Sequence, residues 1–161
     1  MISTTGHSMR LNFLCEHHRR SLMASPDAAG EHWRDCLDRL AELSVAPTPY
    51  RVNIAGSALE AAGIYLIAQR VCDAVEINRY VRTVICLLDV LRQLSQDRLV
   101  LVVVAGANAT LEYLAENGSD RFVVVRGRRR LKIEGMRCLD QDAPSVRPTS
   151  PESLYRRATL H

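Results

Sequence analysis

The sequence predicts a mainly α-helical protein of four or five antiparallel helices, arranged as a helical repeat or as a bundle. Three observations indicate this class. Apolar residues recur at helical spacing from Arg10 to Asn117. The segment from Ala55 to Gly63 is built largely from small residues, which let neighbouring helices approach a central helix closely. Finally, Ser25 and Thr48 each precede a proline, and this pair is typical of a helix start.

The first two helices are predicted over about residues 10–24 and 26–44. Serine at position 25 is expected to cap the second helix through its hydroxyl, and Pro26 has no amide to leave unpaired. The first inward stripe consists of Leu11, Leu14, Cys15, His18 and Leu22. The second consists of Ala29, Trp33, Cys36, Leu37, Leu40 and Leu43.

Three further helices are predicted before residue 118. The third begins at the Thr48 cap and ends near Gln69. The fourth opens with Asp73 and Glu76, which are spaced as a reciprocal capping box, and ends near residue 95. The segment 97–117 starts with a β-branched run typical of a buried strand, which leaves a strand-helix-strand unit as the alternative. We favour a fifth helix here, capped by Asp97 and stopped by Gly118, because the preceding helices offer no strand for pairing.

The pattern changes after Gly118. The apolar residues 122–125 and the segment Leu131-Lys132-Ile133 flank a turn-like Arg-Gly-Arg, so a small basic β-hairpin or arm is predicted over residues 119–135. Three prolines follow in residues 136–161, which are predicted to form a disordered tail. Residues 1–8 are expected to be a flexible leader. The predicted helical domain is therefore 9–118.

The helix pairing resembles the tetratricopeptide-repeat family over about 30 residues. Trp33, Cys36, Leu37 and Leu40 have the spacing of the family's first-helix positions, and Ala55, Leu59 and Ala62 match its second-helix positions. Three features depart from the family: Leu37 stands at a small-residue position, about six extra residues separate the helices, and the closing proline is replaced by Ile67. The resemblance implies a scaffold that offers a groove to a peptide or a partner protein.

Composition and cysteine usage favour a cytoplasmic protein. The longest apolar run, residues 99–109, is shorter than a bilayer span, so no membrane partner is expected. Five scattered cysteines suit reduced thiols better than a disulfide framework. Twenty of the 21 basic residues are arginine, and Lys132 is the exception. Such a preference for arginine is associated with GC-rich, bacterial genomes.

Catalytic and metal-binding signatures are weak in this sequence. Cys15 and His18 share a helical face, and Cys36 on the next helix offers a third ligand, but no Cys-x-x-Cys pair occurs. The same cysteine and histidine lack the glycine-rich loop that nucleophilic catalysis usually requires. An enzymatic or metal-binding protein therefore ranks third among the candidate functions, and no cofactor is expected.

The leading interpretation is a non-catalytic protein-interaction module: an adaptor, a chaperone-like protein or a regulatory scaffold. Its candidate partner-binding residues are Arg51, Tyr65, Arg79 and Arg82.

The second interpretation is nucleic-acid binding through a basic cluster. Six of the twelve residues from Arg121 to Lys132 are basic and none is acidic. Arginines hold phosphates through planar, bidentate hydrogen bonds, but no aromatic residues are interleaved for base stacking. A solvated edge that protects an apolar strand from aggregation is therefore the favoured explanation of the cluster. The candidate nucleic-acid-binding residues are Arg126, Arg128, Arg129, Arg130 and Lys132.

Overall fold

The computed structural model describes residues 13–43 and 48–140, and within these ranges the chain forms six helices and no strand. The helices are α1 (Glu16–Ala24), α2 (Pro26–Glu42), α3 (Pro49–Gln69), α4 (Ala74–Gln93), α5 (Asp97–Glu116) and α6 (Arg121–Asp140). The mainly helical class is confirmed, whereas the predicted hairpin and the predicted number of four or five helices are wrong, because residues 121–140 form a sixth helix.

Most helix starts follow from hydrogen bonds between residues close in sequence. The Thr48 hydroxyl accepts a hydrogen bond from the Arg51 amide at 3.2 Å, so the predicted cap of α3 is confirmed. The predicted capping box of α4 is also present, with Asp73 Oδ1 accepting from the Glu76 amide at 2.8 Å. Ser25 differs, because its hydroxyl forms no capping bond and Pro26 alone marks the start of α2.

Helix α3 lies at the centre of the core. It packs against α2 and α4 and also contacts α1 and α5. Its alanines at positions 55, 58, 61 and 62 have no exposed surface. Small side chains on several sides of one helix allow this close packing, as the sequence indicated.

Helix α1 begins later than predicted. Residues 13–15 precede the helix, and the Cys15 sulfur caps it by accepting from the His18 amide at 3.4 Å. Cys15 and His18 are exposed, so their predicted place on an inward stripe is wrong, while Leu14 and Leu22 are buried. The remainder of the predicted start, at residues 10–12, lies outside the described residues.

A partly buried ion pair fixes α1 on α3. The Arg19 guanidinium donates to Glu60 Oε2 at 2.6 Å, and the Phe13 amide donates to the other oxygen of the same carboxylate. The hydrogen bond to Glu60 raises the pKa of Arg19 above its usual value.

The segment 97–117 is helical, which confirms the fifth helix and excludes the strand alternative. Gln96 rather than Asp97 is its N-cap, and Gly118 ends the helix with a positive φ of 104°. Of the helices described, α5 alone is long and apolar enough to cross a membrane. The same composition is typical of core helices, and α5 packs against α3, α4 and α6.

Helix α6 replaces the predicted basic hairpin or arm, and it extends through residues 136–140, which were predicted to belong to the tail. Asp120 Oδ1 caps the helix by accepting from the amides of Phe122 and Val123 at 2.8 and 3.3 Å. Packing on α4 and α5 explains why a β-branched segment becomes helical, because it buries residues at helical spacing. These residues are Val123, Val124, Gly127, Leu131, Gly135 and Cys138. The predicted leader at 1–8 and the rest of the predicted tail, 141–161, lie outside the described residues.

Candidate binding groove between α2 and α4

A groove of about 680 Å³ separates α2 from α4. Leu37, Leu40 and Ala41 form its α2 wall. The α4 wall presents Val75, Asn78, Arg79, Arg82, Thr83 and Cys86. Apolar side chains therefore lie beside cationic and hydrogen-bonding groups, which is the usual composition of a ligand-binding cleft.

One buried hydrogen bond sets the spacing of the two walls. The Trp33 indole N–H on α2 donates to the Thr83 hydroxyl on α4 at 3.0 Å. The Thr83 hydroxyl donates in turn to the Arg79 carbonyl at 2.9 Å, so both polar groups of the contact are satisfied. Trp33 is 1% exposed, so this hydrogen bond lies in the core.

Arg79 and Arg82 on α4 are two of the predicted partner-binding residues, and they differ in their contacts with the rest of the protein. The Arg79 guanidinium lies 5.8 Å from the centre of the Trp33 ring, which is a cation–π contact. Arg79 and Arg82 are both exposed, and neither forms an ion pair with another residue of the described ranges. The groove thus contains two cations with free donor groups.

The other two predicted binding residues do not line the groove. Arg51 is partly buried in the first turn of α3, close enough to Cys86 to influence the pKa of its thiol. The Tyr65 hydroxyl donates to Glu76 Oε1 at 2.7 Å, and this bond raises the pKa of Tyr65 to about 12. The Tyr65 ring lies against Gly30, where a Cβ would approach it to 2.9 Å. Tyr65 therefore serves helix packing in this structure.

Five acidic residues form a ridge along the exposed face of α2. Their spacing of three or four residues places them on one line of the helix, opposite the face that packs on α3. None forms an ion pair within the part of the chain that the structure describes. The acidic ridge comprises Asp27, Glu31, Asp35, Asp38 and Glu42.

Cys86 is the groove residue with a nucleophilic side chain. Burial raises the pKa of the Cys86 thiol, and Arg51 opposes that effect. The raised pKa keeps the thiol protonated and weakly reactive. All five cysteines of the chain are free, as the sequence predicted.

Only some of the candidate metal ligands lie close to one another. The ring centres of His18 and His32 are 4.8 Å apart, and the Cys36 sulfur is 3.5 Å from His32 Nε2. Within residues 13–43 and 48–140, no group of three or more histidine, cysteine or acidic side chains is arranged to hold a metal ion. Sequence reasoning missed His32, although it lies four residues before Cys36 and so shares its helical face.

The basic cluster lies on α6, away from the groove. Arg128 pairs with Glu112 of α5 at 3.7 Å. A smaller hollow of about 390 Å³ between α5 and α6 is lined by Val104, Asn108, Val125, Arg128, Arg129 and Lys132. The strand that the cluster was expected to protect is helical, and Val123 and Val124 are already buried.

Comparison of the chain with protein-family models, with curated proteins and with solved structures finds no match.

Proposed function

We propose that this protein is a non-catalytic protein-interaction module that binds an amphipathic peptide segment in the groove between α2 and α4. The observation that carries the proposal is that Arg79 and Arg82 line one wall of the groove while the apolar Leu37 and Leu40 line the other. Such a site takes an apolar side chain together with a carboxylate. The proposal needs no cofactor, and the free thiols suit a cytoplasmic location.

The two arginines favour a carboxylate ligand. A guanidinium binds a carboxylate through two parallel hydrogen bonds, and such charge-assisted bonds are stronger than neutral ones. Arg79 is already positioned by the Trp33 ring, so it loses little side-chain freedom when it binds. Arg82, one turn further along α4, supplies a second contact at the spacing of successive helical turns.

The tetratricopeptide-like spacing around Trp33 agrees with this proposal, because Leu37 and Leu40 of that pattern line the groove. Nucleic-acid binding through α6 remains the second candidate, and an enzymatic or metal-binding role the third.

A peptide-display library of random sequences, selected on the immobilised full chain, tests the proposed function. We expect enrichment of peptides that combine apolar and acidic residues. The double variant Arg79→Glu, Arg82→Glu should weaken binding of the selected peptides at least about ten-fold.

The matched control is Arg20→Glu, Arg98→Glu, which makes the same change of charge at two exposed arginines on α1 and α5. This control should bind the peptides like the unmodified chain. Selection of no peptides, or of peptides whose binding survives the Arg79 and Arg82 reversal, would contradict the proposal.

A further inference from the structure

The outer face of α6 combines exposed apolar residues with a high density of positive charge. Phe122 is 74% exposed, Val125 62%, Ile133 39% and Met136 47%. At 100° per residue these four side chains fall on one line along the helix, about 22 Å long. The line consists of two exposed apolar pairs, Phe122 with Val125 and Ile133 with Met136, separated by Arg129. Exposed apolar groups rimmed by polar residues are typical of interaction sites.

Basic residues flank this apolar line on both sides. Helical spacing places Arg126, Arg130 and Arg137 along one side, and Arg121, Arg128 and Lys132 along the other. Arg129 lies within the line itself. Acidic residues nearby are few: Glu134 pairs with Arg137 at 3.2 Å, and Glu112 of α5 pairs with Arg128.

A hollow between α5 and α6 is lined by Val104 of α5 and by Val125 and Arg129 of this face. Leu101 is 56% exposed. It lies one turn from Val104, whose side chain meets α6 at Gly135. Among the described helices, α6 packs on α4 and α5, and its opposite side faces away from both of them.

We propose that the outer face of α6 binds the surface of a membrane that contains anionic lipid. An apolar line between two cationic rows matches the boundary between acyl chains and phosphates, where the apolar side chains leave water and the arginines pair with headgroups. The inference goes beyond the proposed peptide binding and uses a different surface. It also departs from the expectation of no membrane partner, which rested on the lengths of apolar runs alone.

Other occupants fit this surface less well. In a symmetric dimer joined through this face, the cations of the two α6 helices face and repel each other. A nucleic-acid backbone pairs with the arginines but leaves Val125, Ile133 and Met136 uncovered against polar groups, and Phe122 is the only aromatic residue on α6 for base stacking. The acidic ridge belongs to α2, which packs on α1 and α3, so an anionic surface repels that part of the molecule and favours contact through α6.

Vesicle co-sedimentation of the full chain tests this proposal. Vesicles of phosphatidylcholine are compared with vesicles in which a third of the lipid is phosphatidylglycerol. We expect binding to the anionic vesicles only, weakened by added salt. A juxtamembrane cation contributes about five-fold in affinity, so Arg126→Glu, Arg130→Glu should lower the partition coefficient at least about twenty-fold. Phe122→Ser, Met136→Ser should lower it about ten-fold.

The control variant is Arg79→Glu, Arg82→Glu, which carries the same change of charge in the groove and should bind vesicles normally. Conversely, the α6 variants should bind the selected peptides normally, so failure of this proposal and failure of the groove proposal are distinguishable. Circular dichroism of each variant verifies that helix content is unchanged.

No binding to anionic vesicles, or equal binding to neutral ones, would overturn the proposal. Duplex DNA or RNA binding that is lost on charge reversal but kept in Phe122→Ser, Met136→Ser, without vesicle binding, would assign the face to nucleic acid instead.

Discussion

At the scale of single residues, Trp33 contributes both to packing and to the geometry of the groove. Its ring is buried beneath Arg79 and Tyr65, and its N–H reaches across to α4. The predicted place of Trp33 on the inward stripe of the second helix is confirmed. A buried tryptophan with a satisfied N–H is costly to alter, because either the ring or its hydrogen-bond partner is left without contacts.

Thr83→Val should destabilise the protein by about 1–3 kcal/mol, because it leaves the buried Trp33 N–H without an acceptor. Trp33→Phe removes the donor instead, and together the two changes should cost less than the sum of the separate costs. Denaturant unfolding of the two single variants and the double variant measures the coupling. Strict additivity would show that the hydrogen bond contributes nothing.

His32 should make stability depend on pH. Burial, with help from His18 and Arg39, lowers its pKa in the folded protein, and Asp35 partly opposes this. The unfolded chain protonates this histidine near its ordinary pKa of 6.5, so it binds the proton more readily than the folded protein does. Stability is therefore fully present above that pH and falls as the pH drops below it.

The measurement is the free energy of unfolding at about pH 7.5 and about pH 5 for the unmodified chain and for His32→Gln. The variant should lose less stability on acidification than the unmodified chain. His18→Gln is the control, and it should retain most of the dependence because burial of His32 is the main cause. An identical pH dependence in His32→Gln and the unmodified chain would contradict the assignment.

At the scale of helices, glycines separate positions of close packing from positions of open surface. A Cβ at Gly63 in α3 or Gly106 in α5 would meet no atom within 4 Å. A Cβ at Gly127 in α6 would lie 2.9 Å from the Val81 side chain of α4, and one at Gly135 would lie 3.0 Å from Val104 of α5. The glycines of α6 therefore permit its approach to the neighbouring helices.

Gly63→Ala and Gly106→Ala should each stabilise the protein by about 0.5–1 kcal/mol, because alanine favours the helix and meets nothing. Gly127→Ala should instead destabilise it by about 1–3 kcal/mol through overpacking against Val81. Midpoints of urea unfolding measure all three changes. A stabilising Gly127→Ala would mean that α6 lies further from α4 than the structure places it.

The helix scale also separates what was predictable from what was not. The starts of α3 and α4 were predicted because their caps join residues three apart. Helix α6 was missed because Phe122 to Val125 has a strand-like composition and Gly127 resembles a turn. A helical signal was present in the Asp120 cap and in the spacing of Val124, Leu131 and Cys138, but it competed with this local preference.

At the scale of the whole molecule, the core connects α2 to α6 through α3, α4 and α5. Buried residues from all six helices belong to one hydrophobic cluster, which runs from Leu14 to Cys138. A continuous core of this kind predicts a single cooperative unfolding transition. Trp33, the chain's only tryptophan, reports on the α2 side of that core.

Leu131→Ala tests this cooperativity. Leu131 in α6 is completely buried, and its truncation should cost about 2–5 kcal/mol. Because the core is continuous, the transition followed by Trp33 fluorescence should shift as far as the transition followed by circular dichroism. A shift in circular dichroism alone would show that α6 unfolds independently of α2.

The candidate site was predictable only in part. Arg79 and Arg82 were singled out from the sequence and do line the groove, although their binding role remains a prediction. Tyr65 was singled out as well, but its hydroxyl donates a hydrogen bond to Glu76 and does not line the groove. The side chains on the opposite wall were assigned to the core by their spacing, and sequence periodicity does not reveal that Leu37 stays partly exposed at a gap between two helices.

The sequence by itself determined the helical class and most helix boundaries, because capping bonds and apolar stripes depend on residues three or four positions apart. Tertiary structure decided that residues 121–140 are helical, that the Tyr65 hydroxyl is bound by Glu76, and that a groove forms between α2 and α4. These depend on contacts between distant residues, such as the hydrogen bond that joins Trp33 to Thr83 across 50 positions. Burial of Val123 and Val124 against neighbouring helices outweighs their local strand preference, and that burial exists only once α4 and α5 are in place.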